Sequence, residues 1–476
     1  MTDTSWDYKM KKIIMSSLAF AILATSQQGI ALTALADQEL AAVEGQALLN
    51  MQTNYDSGQG IKFHKLGLEA LMELNVNIKS LQLGCGGMNG ANACDIDISN
   101  ISLSGPATGQ KTDGSPSFTG ERAATSAQIT NPFIEFAISG NQTATREVVG
   151  FRLGAEEILG LLTLGTDNIP DPQDGIKSFS GYMKMAQTKG HSYTKAATFG
   201  NASDQKISGT LTALGQDRTY TSKPGAEGHT GITVPSMRAD FVMPETVVTG
   251  KRLNSAVVSG IRSTLTSIPL AASESGSYGP DVNGTPDFSK DQLYVTFPAL
   301  ISLGSIEVGD HSFFKMAKGS TLENLNMDIT FVQALNMIHN IPLSGTGGYL
   351  SLQSRDVQWL GADDKDIAKA GWWMSFKDPI DLGYLETKDL VDVSAVLPQV
   401  AKALTTELMA SYHNVDVSVI EALGSLADTP IERKMNINVG AYTGYYTGQP
   451  ARLTLQNQVL QNQSVTSNCF GGHKFC

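Results

Sequence analysis

The sequence predicts a mainly β protein, and three features carry the prediction: alternating apolar and polar residues in many short runs, dense turn punctuation between the runs, and few charges. Charged residues are only 17% of the 476, while glycine occupies 47 positions. That texture suits an exported sheet protein better than a charge-rich helical enzyme. The expected body is large, antiparallel and β-rich, sandwich-like or built of elongated sheets, with a few short helices. A β-solenoid is the alternative, because two runs near the N-terminus echo each other at a spacing of roughly twenty residues, the length of one solenoid rung.

From the N-terminus, Lys9, Lys11 and Lys12 precede the apolar stretch at 13–24, and small residues follow at Gly29 and Ala31. This reads as a signal peptide over 1–31, cleaved after Ala31. Asp3 and Asp7 are out of place in an export leader, so Met10 is a second candidate start. No later window is long and apolar enough for a membrane helix, and no transmembrane segment is expected in the mature chain. Residues 32–52 form an N-terminal helical or flexible segment. Its short amphipathic helix at 37–43 carries Leu40 and Val43 on one side and stops at Gly45.

The runs 74–83 and 95–103 both alternate, and both break the alternation once, at Lys79-Ser80 and at Ser99-Asn100. Folded back as an antiparallel hairpin, they match Leu83 with Ile96, Leu81 with Ile98, Ile78 with Ile101 and Val76 with Leu103, every pair of numbers summing to 179. The same register sets Cys85 opposite Cys94. A slip of one residue would turn every apolar side chain to the wrong face, so the agreement is informative. Facing residues in such a ladder have Cβ atoms about 4.5–5.5 Å apart, close to disulfide reach. Cys85–Cys94 therefore reads as a cross-strand staple. Cys469 and Cys476 repeat the device near the end of the sequence. Four cysteines allow three connectivities; two local bridges are the simplest, and the other two stay open.

Further strands are expected at 133–139, 206–214, 231–242, 292–308, 325–332, 347–353 and 435–446. Helices are expected at 155–162 and at 396–412, where Val396, Val400, Leu404 and Leu408 recur every fourth residue. Polar, Gly/Pro-rich loops separate these elements. The loop at 272–288 divides a β-rich N-terminal half, 53–271, from a β-rich C-terminal half, 289–476.

Chemistry is scarce. The net charge of −12 argues against nucleic acid as a partner, since phosphate binding needs Lys and Arg. No nucleophile elbow, zincin, phosphate-loop or dinucleotide motif occurs. The seven histidines, at 64, 191, 229, 311, 339, 413 and 473, are scattered. Asp281, Asn283, Asp287 and Asp291 form the densest oxygen cluster, but they lack the spacing of a calcium loop and read as a solvated turn. Asp363, Asp364 and Asp366 read as a charged loop or helix cap. No catalytic, metal-binding or cofactor-binding residue is expected, and no enzyme activity. Trp372 and Trp373 are adjacent in a strand and must face opposite ways, one into the core and the other outward as a candidate subunit contact. Leu40 and Val43 are the other candidate contacts.

The stretch Leu35-Ala36-Asp37-Gln38-Glu39-Leu40-Ala41-Ala42-Val43-Glu44-Gly45-Gln46 resembles the opening of FilA-type pilus-assembly or fimbrial exported proteins of Gram-negative bacteria, with Ala36 in place of their usual serine. Gly371 to Phe376, followed by Asp378-Pro379-Ile380, is similar to the same group. The resemblance implies a non-catalytic cell-surface component or assembly factor of a fimbria, exported through the periplasm. Its partners would be other fimbrial or pilus subunits or further copies of itself, and a host or abiotic surface. A secreted or periplasmic carbohydrate-active or hydrolytic β-protein is the alternative. The two differ in what a fold should display: a cleft of clustered titratable groups for the enzyme, an unpaired strand edge or groove for the subunit.

Overall fold

The computed structural model describes residues 49–466 apart from 87–89, 91–92, 141, 171–173, 225–230, 271–277, 283–292, 297–300, 304–305, 309–311, 411–412, 425–428 and 440–449. The signal peptide expected at 1–31, the helix expected at 37–43 and most of the loop expected at 272–288 lie outside the described residues, as does the end of the strand expected at 435–446. The fold is mainly β, with few short helices and several sheets.

The first ten strands are β1 (Leu49–Asp56), β2 (Ile61–Leu68), β3 (Leu71–Leu74), β4 (Val76–Leu83), β5 (Ile96–Ser104), β6 (Gly109–Gln110), β7 (Pro116–Ser117), β8 (Ala127–Ser139), β9 (Glu147–Thr163) and β10 (Ile176–Met185). Eight of them enter an eleven-stranded sheet that runs β1, β2, β8, β9, Asn340–Gln353, Gly371–Phe376, β10, β5, β4. β3 lies beside β8, and Thr246–Leu253 lies beside β10. β5 leaves β10 after Ile98 and joins β9 from Ser102, so five of these strands close into a ring.

The hairpin register is the expected one. Val76, Ile78, Leu81 and Leu83 pair with Leu103, Ile101, Ile98 and Ile96, and the sum of 179 holds on both sides of the broken alternation. The break is neither a one-sided bulge nor a rung corner. Lys79 and Asn100 skip their pairing together, and Asn100 takes a left-handed φ of 52°, which asparagine tolerates better than most residues. It sits where β5 changes neighbours, with the Ser99 N–H on the Gly175 carbonyl and the Asn100 amide on Asp174. Most ladders are antiparallel, and among the described residues there is no stack of parallel rungs.

A second sheet of seven strands pairs Ser255–Pro269 with Thr321–Ala334 along nearly their whole length. Its apolar side chains and those of the first sheet share the largest core. The helix Leu397–Leu408 closes that core, with Val400, Leu404 and Leu408 buried as expected and Pro398 in its first turn. It ends at Leu408, earlier than the 412 expected. A six-stranded sheet has a smaller core around Leu211, Val295 and Ile431.

Several expectations need correction. Residues 155–162 are strand, inside β9, because β8 and Asn340–Gln353 hydrogen-bond to both sides of that run. The pattern GAEEILGLL suits a helix only until tertiary pairing overrides local propensity. The run 231–242 is two strands, Ile232–Val234 and Arg238–Met243, and the run 292–308 is three. Residues 49–52 belong to β1 and not to the N-terminal segment. The halves 53–271 and 289–476 share the two largest sheets, and from Leu49 onward the chain is one unit.

Candidate functional site

The β1 end of the first sheet has two unlike faces and one open edge. Facing residues of an antiparallel ladder project on the same side, so the pairings can be read as rows. Met51, Leu66, Ile134, Leu153, Leu350 and Met374 make one row across six strands. The next row on the same side is Thr53, His64, Phe136, Phe151, Leu352 and Trp372. Leu350, Met374 and Trp372 pack against the largest core, but the face stays apolar after that cover ends. Phe136 is 42% exposed, Leu153 50% and Met51, on the terminal strand, 83%. Phe136 and Phe151 meet at 5.5 Å between ring centroids.

The opposite side is polar and partly roofed. Its rows are Gln52, Lys65, Glu135, Arg152, Ser351, Trp373 and Asn50, Gly67, Phe133, Gly154, Tyr349, Ser375. Gly154 has no substitute there: a Cβ would lie 2.8 Å from the Phe133 ring and 2.7 Å from the Gly348 carbonyl oxygen. The connection from Gln353 to Gly371 folds over the rows and buries Val357, Trp359 and Ala368. Gln59, in the β1–β2 turn, ties that connection down by donating to the Gln358 carbonyl at 2.7 Å and accepting from its N–H at 2.8 Å.

Beneath the roof Arg152 Nε donates to Glu135, with both side chains buried. Arg152 Nη2 donates to the Leu360 carbonyl at 2.9 Å, and the guanidinium lies about 5 Å from the Phe133, Tyr349 and Trp359 rings. Asp366 is also buried and accepts from Tyr349 Oη at 2.5 Å, Trp373 Nε1 at 2.9 Å and Ser375 Oγ. Burial holds its carboxyl above the ordinary value, outweighing those three donors, and burial pushes the Tyr349 phenol up as well. Asp363, at the surface of the same connection, is the reverse: its contact with Lys184 holds it down to about 2.

Beside this roof is a cleft of about 340 Å³, lined by Lys65, Arg152, Glu156, Tyr349, Asp366 and Lys377 among others. A neighbouring hollow of about 360 Å³ shares Lys65 and Glu156, which are ion-paired at 2.8 Å. Lys65 and Asn131 hold the Glu156 carboxyl below its ordinary value. The carboxylates of Glu135, Glu156 and Asp366 thus each have hydrogen-bonding partners, and among the described residues no histidine lines either hollow. That arrangement orders side chains, and among the described residues it holds no nucleophile paired with a base.

The sequence-predicted residues distribute as follows. Cys85 and Cys94 are bonded, with Cα atoms 3.9 Å apart. Trp373 is 1% exposed, in the polar-side core with Phe63 and Trp359. Trp372 faces the other way as expected but is half-buried against the largest core. It is therefore a weaker contact candidate than an outward-facing residue free of that packing would be. Its N–H donates to Asp95 at 3.0 Å, beside the staple, where Gly371 leaves room that a Cβ would fill at 2.3 Å from the carboxylate. Asp366, expected in a charged loop or cap, is instead a buried acceptor for three side chains. Leu40, Val43, Cys469 and Cys476 lie outside the described residues, as do Asn283, Asp287 and Asp291. Lys65, Glu135 and Arg152 were not singled out from sequence. The available signal was a charge embedded in each of two apolar runs, PFIEFA and GFRLG.

Among the described residues no three His, Cys, Asp or Glu side chains gather as a metal site requires, and no described helix is long and apolar enough to cross a membrane. No protein-family model, curated protein or solved structure matches the chain.

Proposed function

We propose that the chain is a non-catalytic structural or adhesive protein of the cell surface, a component or assembly factor of a fimbria- or pilus-like structure, exported through the periplasm. One observation carries the reading: an apolar sheet face runs, without cover from any described residue, out to a terminal strand whose outer side no described strand pairs. Water-exposed apolar surface of that extent is costly for a free monomer and characteristic of protein contacts. An open strand edge offers backbone hydrogen bonds to a second protein. The partners are other subunits or further copies of the chain, and the structure built from them meets a host or abiotic surface. Immunogold electron microscopy of purified surface material, with peptide mapping under non-reducing conditions, tests this. Labelled filaments are the expected result, and label confined to the periplasm or cytoplasm refutes it.

A second reading rests on the Lys65–Glu156–Lys377 cleft, which gathers titratable groups as a carbohydrate-active or hydrolytic protein would. Screening the purified chain against glycans, with Glu156→Gln and Lys377→Met as controls, separates the two. Saturable binding lost in both variants favours the cleft reading; no binding leaves the first.

A further inference from the structure

We infer that β1 is a two-fold pairing edge whose partner is β1 of a second copy of this chain, so that two eleven-stranded sheets become one. The inference deepens the proposed function by naming the partner and the geometry of one contact.

The two terminal strands of the sheet differ in how they are protected. β4 carries Lys79 at its middle, skips one pairing with β5 and is stapled through Cys85 just past its end. Those are the features that keep an edge from recruiting another strand. β1 has none of them. Its sequence, LNMQTNYD, holds no proline, lysine or arginine, and its one charge, Asp56, is at the turn. All eight of its residues pair with β2 in unbroken register, so the ladder is regular up to its outer side.

The side chains of β1 are also self-complementary. Leu49, Met51, Thr53 and Tyr55 are on the apolar side; Asn50, Gln52, Asn54 and Asp56 are on the other. An antiparallel pairing of β1 with itself keeps each side with its like only when facing residue numbers add to an even total. A total of 106 sets Met51 against Tyr55 twice, Thr53 against Thr53 and Gln52 against Asn54. A total of 104 sets Leu49 against Tyr55, Asn50 against Asn54 and Gln52 against Gln52. In both, the apolar side meets apolar residues or threonine, the other side pairs amide with amide, or Asn50 with Asp56 in the 106 register, and no two carboxylates face. The 106 register continues the Met51–Leu66–Ile134–Leu153 row of one copy into the Tyr55–Lys62–Ile138 row of the other, and the 104 register continues it into the Thr53–His64–Phe136–Phe151 row.

Such a contact is isologous and closes on itself. It makes a dimer, and a filament would need a second, different contact. The two ideas can therefore fail separately.

The test uses the full chain as the cell processes it. Light scattering after size exclusion reads its mass, and single variants Met51→Cys, Gln52→Cys, Thr53→Cys and Asn54→Cys are oxidised and run on non-reducing gels. A dimer is expected, with cross-linking dominated by Gln52→Cys or by Thr53→Cys according to register. The double variant Met51→Lys/Tyr55→Lys is expected to weaken the dimer about tenfold or more with unchanged circular dichroism. A wild-type monomer at high micromolar concentration overturns the inference. So does a dimer that the lysine variant leaves intact, or one without cross-linking at any of the four positions. A β1-linked dimer found without surface filaments supports this inference while refuting the proposed function.

Discussion

Arg152 and Glu135 face each other on β9 and β8 as a buried ion pair, and the Trp359 ring closes over the guanidinium at 5.0 Å. Two charges withdrawn from water are costly, and their attraction offsets the cost only while both are present. Glu135→Leu, which strands Arg152, is expected to lower stability by about 3–5 kcal/mol. The double variant Glu135→Leu/Arg152→Met, which removes both charges, is expected to recover most of that loss. Urea titrations of the three proteins check it; a double variant as weak as the single one would show that the pair's geometry, not its charge balance, holds the roof.

The Cys85–Cys94 bridge spans a loop of nine in sequence separation, for which chain entropy gives a stabilisation of about 2–3 kcal/mol. Cys85→Ser/Cys94→Ser is expected to lose about that much while keeping the β4–β5 register, which the four apolar pairs already fix. Hydrogen exchange should quicken at Leu81 and Leu83, nearest the staple, and change little at Val76. Uniform loss of protection along β4 would contradict this.

That register was legible in the sequence because two alternating runs and two cysteines imposed the same sum, and the numbers had only to agree with one another. The helix Leu397–Leu408 was legible for a similar reason: four apolar residues at helical spacing left one face to bury. The run at 155–162 was not, since its local pattern fits a helix, and the neighbours that hold it as strand come from Ala127–Ser139 and Asn340–Gln353. The polar rows were equally hidden. Gln52, Lys65, Glu135, Arg152 and Ser351 are scattered over three hundred positions and become neighbours only through four pairings. Asp366 looked like one acid among three, and only the fold distinguishes it from Asp363, which meets Lys184 at the surface.

His339 is fully buried and donates Nδ1–H to the Leu164 carbonyl at 2.8 Å, and Nε2 has no partner among the described residues. Burial holds the imidazole below its ordinary value, against the opposing pull of Asp174 and Asp167. The unfolded chain therefore takes up a proton first as pH falls. The stability tied to this group is complete above the unfolded value of about 6.5 and is lost as pH drops from there toward the lower folded value. His413, lowered by burial as well, acts with the same sign. His339→Gln removes one of the two titrations. Its urea midpoint is expected to fall less than that of the wild type between about pH 7.5 and pH 5.5, a range above most carboxylate titration. Parallel losses in both proteins would assign the acid sensitivity elsewhere.

The apolar face separates solubility from stability. Ile134 and Leu153 face each other and are 38% and 50% exposed, so their outward surface is in contact with water in the single chain. Replacing such a residue with lysine removes little buried area, and the lysine stem can lie along the sheet with its ammonium in solvent. Ile134→Lys/Leu153→Lys is therefore expected to shift the unfolding free energy by only about 1 kcal/mol. Binding of a hydrophobic dye should nevertheless fall clearly, because the lysines interrupt the row between Leu66 and Leu350. Phe133→Ala, one position along β8 but pointing to the other side under Arg152 and Lys65, makes the control. Loss of a large buried ring costs about 3–5 kcal/mol, and dye binding to the native state should not drop with it. If the lysine pair instead destabilises as strongly as Phe133→Ala, the face is packed against something in the folded chain, and the surface assigned to protein contacts is already in use.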